Sequence, residues 1–271
     1  MYLGVSKRRK SLREILQKLA EGKISIDEAE KALRFNAIET IAGVARLDVG
    51  RDVRRGVPEI VLAEGKTPND LINICTRMLD KNGRAIVSRV NDEQLRLLKD
   101  TFGKHRFEQP PHAKSIVIAK ANYERAMTGG KVGILTAGTV DLAVAEEASM
   151  IAREMGCETY LEADAGVAGL HRLAEPLGHM IESDVDSLIV VAGREGALPT
   201  VVAGLVDIPL IAVPASSGYG YGGHGEAALM AMLQACSLGL AVVNIDSGIA
   251  AGVVAAQIAN RVARARKTAT R

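Results

Sequence analysis

The spacing of apolar and polar positions divides the chain into three stretches. In residues 11–35, Leu12, Ile15, Leu16 and Leu19 recur at helical spacing, which predicts one apolar helix face. Ser11 with Glu14, and Ser25 with Glu28, have the spacing of capping boxes, and Gly22 separates two short helices. Over 40–126 the pattern changes. "EIVLA" (59–63), "AIVSRV" (85–90) and "SIVIA" (115–119) are short β-branched runs that predict strands. Helical patterns at 67–80 and 91–99 lie between them, and the polar stretch "FGKHRFEQPPHAK", with two prolines, reads as a loop. The result is a small α/β unit.

From 127 onward five apolar runs recur: "KVGILTAG", "CETYLEA", "SLIVVAG", "PLIAVPA" and "LAVVNI". Each is nearly continuous and is followed by a helical stretch, the pattern of parallel strands buried on both faces. The predicted fold class is α/β: a three-layer αβα parallel-sheet domain of Rossmann or flavodoxin-like type, preceded by a smaller α/β domain. The expected divisions are 1–38, a helical segment; 39–126, the small α/β domain; and 127–271, the sheet domain. In such folds ligands bind beyond the carboxyl ends of the strands, at the switch point of the strand order. Three glycine-bearing loops follow strands here: "AGTVD" (137–141), "AGREGALP" (192–199) and "PASSGYGYGGHG" (214–225).

Composition narrows the class. The 271 residues are 48% hydrophobic and 24% charged, the balance of a soluble globular protein of one or two domains. A net charge of +2 gives no argument for a polyanionic partner, so neither nucleic acid nor membrane is expected. The basic runs "KRRK" (7–10) and "RVARARK" (261–267) read as solvated termini or as weak attractors of nucleotides. Cys75, Cys157 and Cys236 are too few and too scattered for a disulfide framework, which suits reduced thiols in the cytoplasm. The most apolar segment, 196–214, is broken by Pro199, Asp207 and Pro209, so no membrane span is expected.

The loops carry the candidate chemistry. Thr139 or Asp141 can cap the helix after the first loop, whose free N–H groups make an anion site. In the third loop Gly218, Gly220 and Gly223 permit close backbone approach to a ligand, and Ser216 and Ser217 offer hydroxyls. Glu195, just after a buried strand, suits a base of raised pKa. Asp164, His171 and Arg172, in "DAGVAGLHRL", are further substrate contacts, the last two suited to phosphate or carboxylate. Cys236 is placed in the last turn of the helix after the third loop. That setting opposes thiolate formation unless a cation lies nearby. No cluster has metal-ligand spacing, and the metal site is left unassigned.

Six segments in order, "GVPEIVLAEGKT", "AGTVDLAVAEEA", "DAGVAGLHRL", "GREGALPTVVAGL", "PASSGYG" and "CSLGLAVVNIDSG", resemble the LarB family of nickel-pincer nucleotide cofactor biosynthesis proteins. The C-terminal half is similar to the PurE class of aminoimidazole ribonucleotide carboxylases. The resemblance spans about Leu47 to Gly252. It implies a PurE-like fold, a homo-oligomer of octameric type and a reaction. Nicotinic acid adenine dinucleotide is carboxylated at C5 of its pyridinium ring by CO2 or bicarbonate and cleaved to AMP and pyridinium-3,5-biscarboxylic acid mononucleotide. The resemblance assigns Cys236 as nucleophile and Glu195 as general base. Mg2+ is expected at the phosphates, and no nickel is expected on this protein. The chain departs from the family pattern at Val140, in place of serine; at Arg194, in place of an apolar residue; at Val49 and Gly50, in place of a histidine pair; and at Ile249 and Ala250, in place of an aromatic-glycine pair. Two other readings remain: a carboxylase or mutase acting on aminoimidazole ribonucleotide, and a nucleotide-binding protein without catalysis.

Overall fold

The computed structural model describes residues 12–29, 39–41, 45–47, 51 and 55–269. Expectations placed on 7–10, Ser11, 30–35, Val49 and Gly50 lie outside the described residues. Helix α1 (Leu12–Ala20) stops before Gly22, whose φ of 67° is left-handed and whose amide donates to the Leu19 carbonyl. The Ser25–Glu28 capping box forms: the Ser25 amide donates to the Glu28 carboxylate at 2.9 Å, and the Glu28 amide donates to the Ser25 hydroxyl at 3.2 Å. Ile15 is buried while Leu16 is exposed, so the apolar face is narrower than its pattern suggests. A hairpin of β1 (Glu39–Ile41) and β2 (Ala45–Leu47) follows.

The first sheet has the order β3 (Ile60–Leu62), β4 (Arg84–Ser88), β6 (Ile116–Ala119) and β5 (Arg106–Glu108). β3 and β4 are parallel, and the other pairs are antiparallel. Strand β5 falls inside the stretch read as a loop. Its three residues offer one apolar side chain, Phe107, which pairs with Ile118. Helix α2 (Pro68–Asn82) starts where the Thr67 hydroxyl accepts the Asp70 amide and ends at Gly83, φ 71°. Helix α3 (Asp92–Thr101) has a complete Asn91–Gln94 capping box. Both cover one face of the sheet, where Leu71, Cys75 and Met78 pack with Val87 and Ile118.

The second sheet is wholly parallel: β11 (Leu240–Val242), β10 (Leu210–Pro214), β9 (Ser187–Ala192), β7 (Lys131–Thr136), β8 (Glu158–Glu162). All five sequence-predicted strands are present. In domain order this is 2-1-3-4-5, the flavodoxin-like arrangement, with its switch point between β7 and β9. Helices α5 (Ala174–Glu182), α6 (Leu198–Ala203) and α7 (Glu226–Leu233) cover one face. Helices α4 (Leu142–Glu154) and α8 (Gly248–Ala269) cover the other.

The α4/α8 layer serves both sheets. Ile86 and Val117 of the first sheet belong to the same buried cluster as Ile151 and Ala255 of these helices and Ile189 and Ile211 of the second sheet. The layer is thin because it is built from small residues. A Cβ at Gly248 would lie 2.3 Å from the Val144 carbonyl, and one at Gly252 would lie 2.5 Å from the Ala148 carbonyl. Carboxylates of α4 then bind the first domain. Glu146 accepts the His112 and Ala113 amides, Glu147 accepts the Ser115 hydroxyl, and the buried Glu154 pairs with Arg84 at 2.9 Å and with Arg125.

Gly252→Ala forces α4 and α8 apart and costs about 1–3 kcal/mol in denaturant unfolding. Gly178→Ala, in α5 with open space around it, gains up to about 1 kcal/mol. Equal effects would contradict the packing described. Burial, first among its causes, raises the Glu147 carboxyl above its ordinary 4.5, outweighing the Ser115 hydrogen bond. The folded chain therefore holds this proton more tightly than the unfolded chain, and stability is lost as pH rises above 4.5 through the raised value. Relative to wild type, Glu147→Gln gains stability as pH rises from about 4.5 in urea titrations; a constant gap would refute this.

Candidate active site

The loops that leave the parallel strands are tied to one another. After β7, a single 3-10 turn (Thr139–Asp141) leads into α4. Asp141 was expected as a helix cap, but its side chain makes no such bond. Its carboxylate accepts the Gly138 amide at 3.0 Å and the Ser217 hydroxyl at 2.6 Å, which fastens the first loop to the loop after β10. The Ser216 amide donates to Asp246 at 2.8 Å, joining the loop after β11. The loop after β9 is held by contact: a Cβ at Gly193 would stand 2.3 Å from the Ser217 hydroxyl oxygen, so only glycine fits. After β8, the Asp164 amide reaches the Thr136 hydroxyl, and Gly166 lies against the Ala137 carbonyl.

Above these loops opens a cavity of about 740 Å³. Its floor is Val140, Asp141, Ser216, Ser217 and Asp246, and α4 adds Glu147. Its roof comes from the first domain: Glu64, Arg89, Asn91, His112 and Lys114. Arg89 sits just past β4 at φ 53° and pairs with Glu64 at 3.0 Å. His112 is held by Glu146 through its Nδ1 at 2.7 Å. Asp141 is 3% exposed. Burial raises its carboxyl above the ordinary range; the Ser217 and Gly138 hydrogen bonds oppose this, and the charge of Asp246 adds to it. A cationic or hydrogen-bonding ligand group is thus met by carboxylates below, and an anionic one by Arg89 and Lys114 above.

The sequence-predicted residues divide between this cavity and other places. Asp141, Ser216 and Ser217 line it. Thr139 is exposed beside it. Arg172 pairs with Asp164 at 2.8 Å outside the cavity wall, and His171 is exposed on the same 3-10 segment. Gly218 packs on the Arg194 backbone, and Gly220, at φ 88°, turns the chain with the Gly223 amide donating back to its carbonyl. Glu195 is exposed and borders a separate recess of about 270 Å³ with Arg194, Tyr219 and Gly222. The Arg194 guanidinium lies 4.2 Å over the Tyr219 ring, so the departure at this position is stacked on the glycine-rich loop.

Cys236 needs a correction of place. Helix α7 ends at Leu233, and Cys236 lies beyond it in an exposed bend. The Gly239 carbonyl accepts the Leu210 amide at the start of β10, so this bend stands at the strand-start edge of the sheet. The cavity stands at the strand-end edge. One chain therefore separates its exposed thiol from its own cavity by the length of the sheet. The other two thiols are core: burial pushes Cys75 up to about 12 and Cys157 up to about 11.

Sequence reasoning missed Asp246, Glu147, Arg89, His112 and Lys114. Asp246 had a signal, because "NIDSG" is a strand-turn-helix junction like "AGTVD". The roof residues had none, since they come from another domain with no fixed spacing to the floor. Among the described residues no three His, Cys, Asp or Glu side chains gather as a metal site, and no helix is long and apolar enough to cross a membrane.

The AIR carboxylase family matches residues 131–269, and the LarB/PurE-like N-terminal domain family matches residues 38–120. An uncharacterised protein of Methanocaldococcus jannaschii is 44% identical over 255 residues, covering 92% of this chain and 97% of its own. The N5-carboxyaminoimidazole ribonucleotide mutase of the same organism is 34% identical over 127 residues, 46% of this chain and 76% of its own. The roof of the cavity thus belongs to the LarB-type domain and its floor to the carboxylase domain, and the chain is a member of the LarB family, with the architecture of a carboxylase-type enzyme.

Proposed function

We propose that the protein carboxylates nicotinic acid adenine dinucleotide at C5 of the pyridinium ring and hydrolyses its phosphoanhydride, giving pyridinium-3,5-biscarboxylic acid mononucleotide and AMP. The observation that carries this reading is the two-domain cavity, whose roof offers Arg89 (paired with Glu64) and Lys114 and whose floor offers Asp141, Asp246 and Glu147. A dinucleotide joins a cationic ring to an anionic pyrophosphate, and this site offers a partner to each. Arg89 and Lys114 hold the pyrophosphate, Ser216 and Ser217 hold ribose or phosphate oxygens, and Glu147 faces the pyridinium.

The chemistry needs a nucleophile because an electron-poor ring does not attack CO2. The Cys236 thiolate bonds to a ring carbon next to C5, and the ring nitrogen takes up the displaced electron pair. The neutral enamine then forms the C5–C bond to CO2. The family resemblance gives the base role to Glu195, which borders the recess beside the glycine-rich loop rather than the cavity wall of its own chain; its carboxylate accepts the C5 proton, the ring regains aromaticity, and the thiolate leaves with its electron pair. Water cleaves the phosphoanhydride. A dedicated Mg2+ cage does not fit the described residues. An ion carried on the phosphates does fit, because Mg2+ typically takes only one or two protein carboxylates. Asp141 and Asp246 would hold it, and it would neutralise phosphate charge.

In this reading Cys236 serves the cavity of a second copy of the chain. Met230, Leu233 and Leu238, on α7 and the bend that carries the thiol, are 65%, 66% and 89% exposed. A helix apolar on all sides is one that another surface covers. In this reading a neighbouring chain packs on that strip, in an assembly of octameric type, and each cavity takes its thiol from the neighbour.

Incubating the full chain with nicotinic acid adenine dinucleotide, bicarbonate and Mg2+ should release AMP and a mononucleotide carrying one added carboxyl, read by mass spectrometry. Cys236→Ala should abolish carboxylation without changing the fold, and Glu195→Gln should lower it by about 10²- to 10⁴-fold. Likeness to the mutase supports a second reading, an aminoimidazole ribonucleotide substrate that is already an enamine and needs no thiol. Carboxylation of that nucleotide by Cys236→Ala at the native rate would select it. In native protein a small alkylating reagent should modify one thiol of three, and none in Cys236→Ala; modification of Cys75 or Cys157 would contradict their burial.

A further inference from the structure

At the other end of the domain junction lies a second cavity, of about 800 Å³, that the proposed reaction does not use. It opens at the strand-start edge, between the segment before β7 and the C-terminal helix. Helix α8 supplies Arg261, Arg264 and Lys267, and the first domain supplies Arg55 and Arg84. Against these five cations the wall has one carboxylate, Glu154, which already holds Arg84 and Arg125. Among the described residues no carboxylate pairs with Arg261, Arg264 or Lys267. The three recur every third residue and so run for about 9 Å along one side of the helix. Arg266, by contrast, is turned away to Asp184 and Asp186. The basic run near the C-terminus is thus sorted by helical geometry: part of it closes an ion pair, and part of it faces a cavity.

Cations left facing one open cleft repel each other, and an anion bound in it relieves the repulsion. The space also has an apolar side. Met127, largely exposed, stands with Pro58 and Met155 on its wall and offers a surface for a flat ring. Thr128 and Asn260 add hydrogen-bonding groups beside it. Phosphate recognition by several guanidinium groups next to an apolar ring surface is the chemistry of a nucleotide site.

We infer that this cleft is a second nucleotide site, distinct from the catalytic cavity, and that it takes a nucleoside di- or triphosphate through Arg261, Arg264 and Lys267. The site does not depend on the reaction proposed above. Its test is calorimetric titration of the full chain with ADP, with adenosine as control. ADP is expected to bind, more weakly as salt rises, and adenosine is not. Arg261→Glu/Arg264→Glu, and the milder Arg261→Gln/Arg264→Gln, are expected to weaken ADP binding by more than about tenfold with unchanged melting. Carboxylation turnover measured without ADP should stay at the wild-type level in both. Ser217→Ala, in the catalytic cavity, should leave ADP binding as it is. ADP binding that survives both double variants, or that is lost in Ser217→Ala, overturns the assignment. So does a wild-type chain that binds single-stranded RNA but not ADP.

Discussion

Everything in this molecule depends on one helical layer being apolar on two sides. Helices α4 and α8 lie between two sheets, and each sheet needs its face covered. A helix that serves two faces cannot carry large side chains toward its neighbour as well, and here the contact is made through Gly248, Gly252 and Ala148. The sharing sets how the two domains stand relative to each other. Both cavities then arise as the open ends of the same junction, one at each edge of the parallel sheet.

The chemistry of the first cavity comes from this placement. Asp141 is a helix-start acid by sequence, yet it spends its oxygens on the Gly138 amide and the Ser217 hydroxyl. That choice binds loops from different strands into one floor. Asp246 repeats the device on the Ser216 amide. A floor made of mutually bonded loops keeps its polar groups aimed without help from a ligand, which is what an electrostatic site needs.

Much of the fold was legible in the sequence, and the reason lies in run length. Strands β7, β9 and β10 are announced by continuous apolar runs because they are buried on both faces, whereas the edge strands β8 and β11 are only partly buried and β8 carries polar residues between its apolar ones. Strand β5 has three residues and one apolar side chain, too little to set a period. The end of α7 was misjudged because "MLQAC" keeps a helical composition beyond Leu233, whereas the chain must turn there to begin β11 at Leu240. The strand-end loops gave away Asp141, Ser216 and Ser217. Arg89, His112 and Lys114 were hidden, since a cavity roof contributed by a separate domain leaves no spacing rule in the chain.

The three carboxylates of α4 that grip the first domain have a mechanical consequence. With Glu146, Glu147 and Glu154 each bonded across the junction, and an apolar layer beneath them, a swing of one domain against the other has to break these bonds and uncover that layer. Clamping the chamber by swinging one lobe onto the other carries that cost. Its guest has to match a preset shape, entering through the open side, and the enzyme's selectivity is that of a mould rather than a jaw.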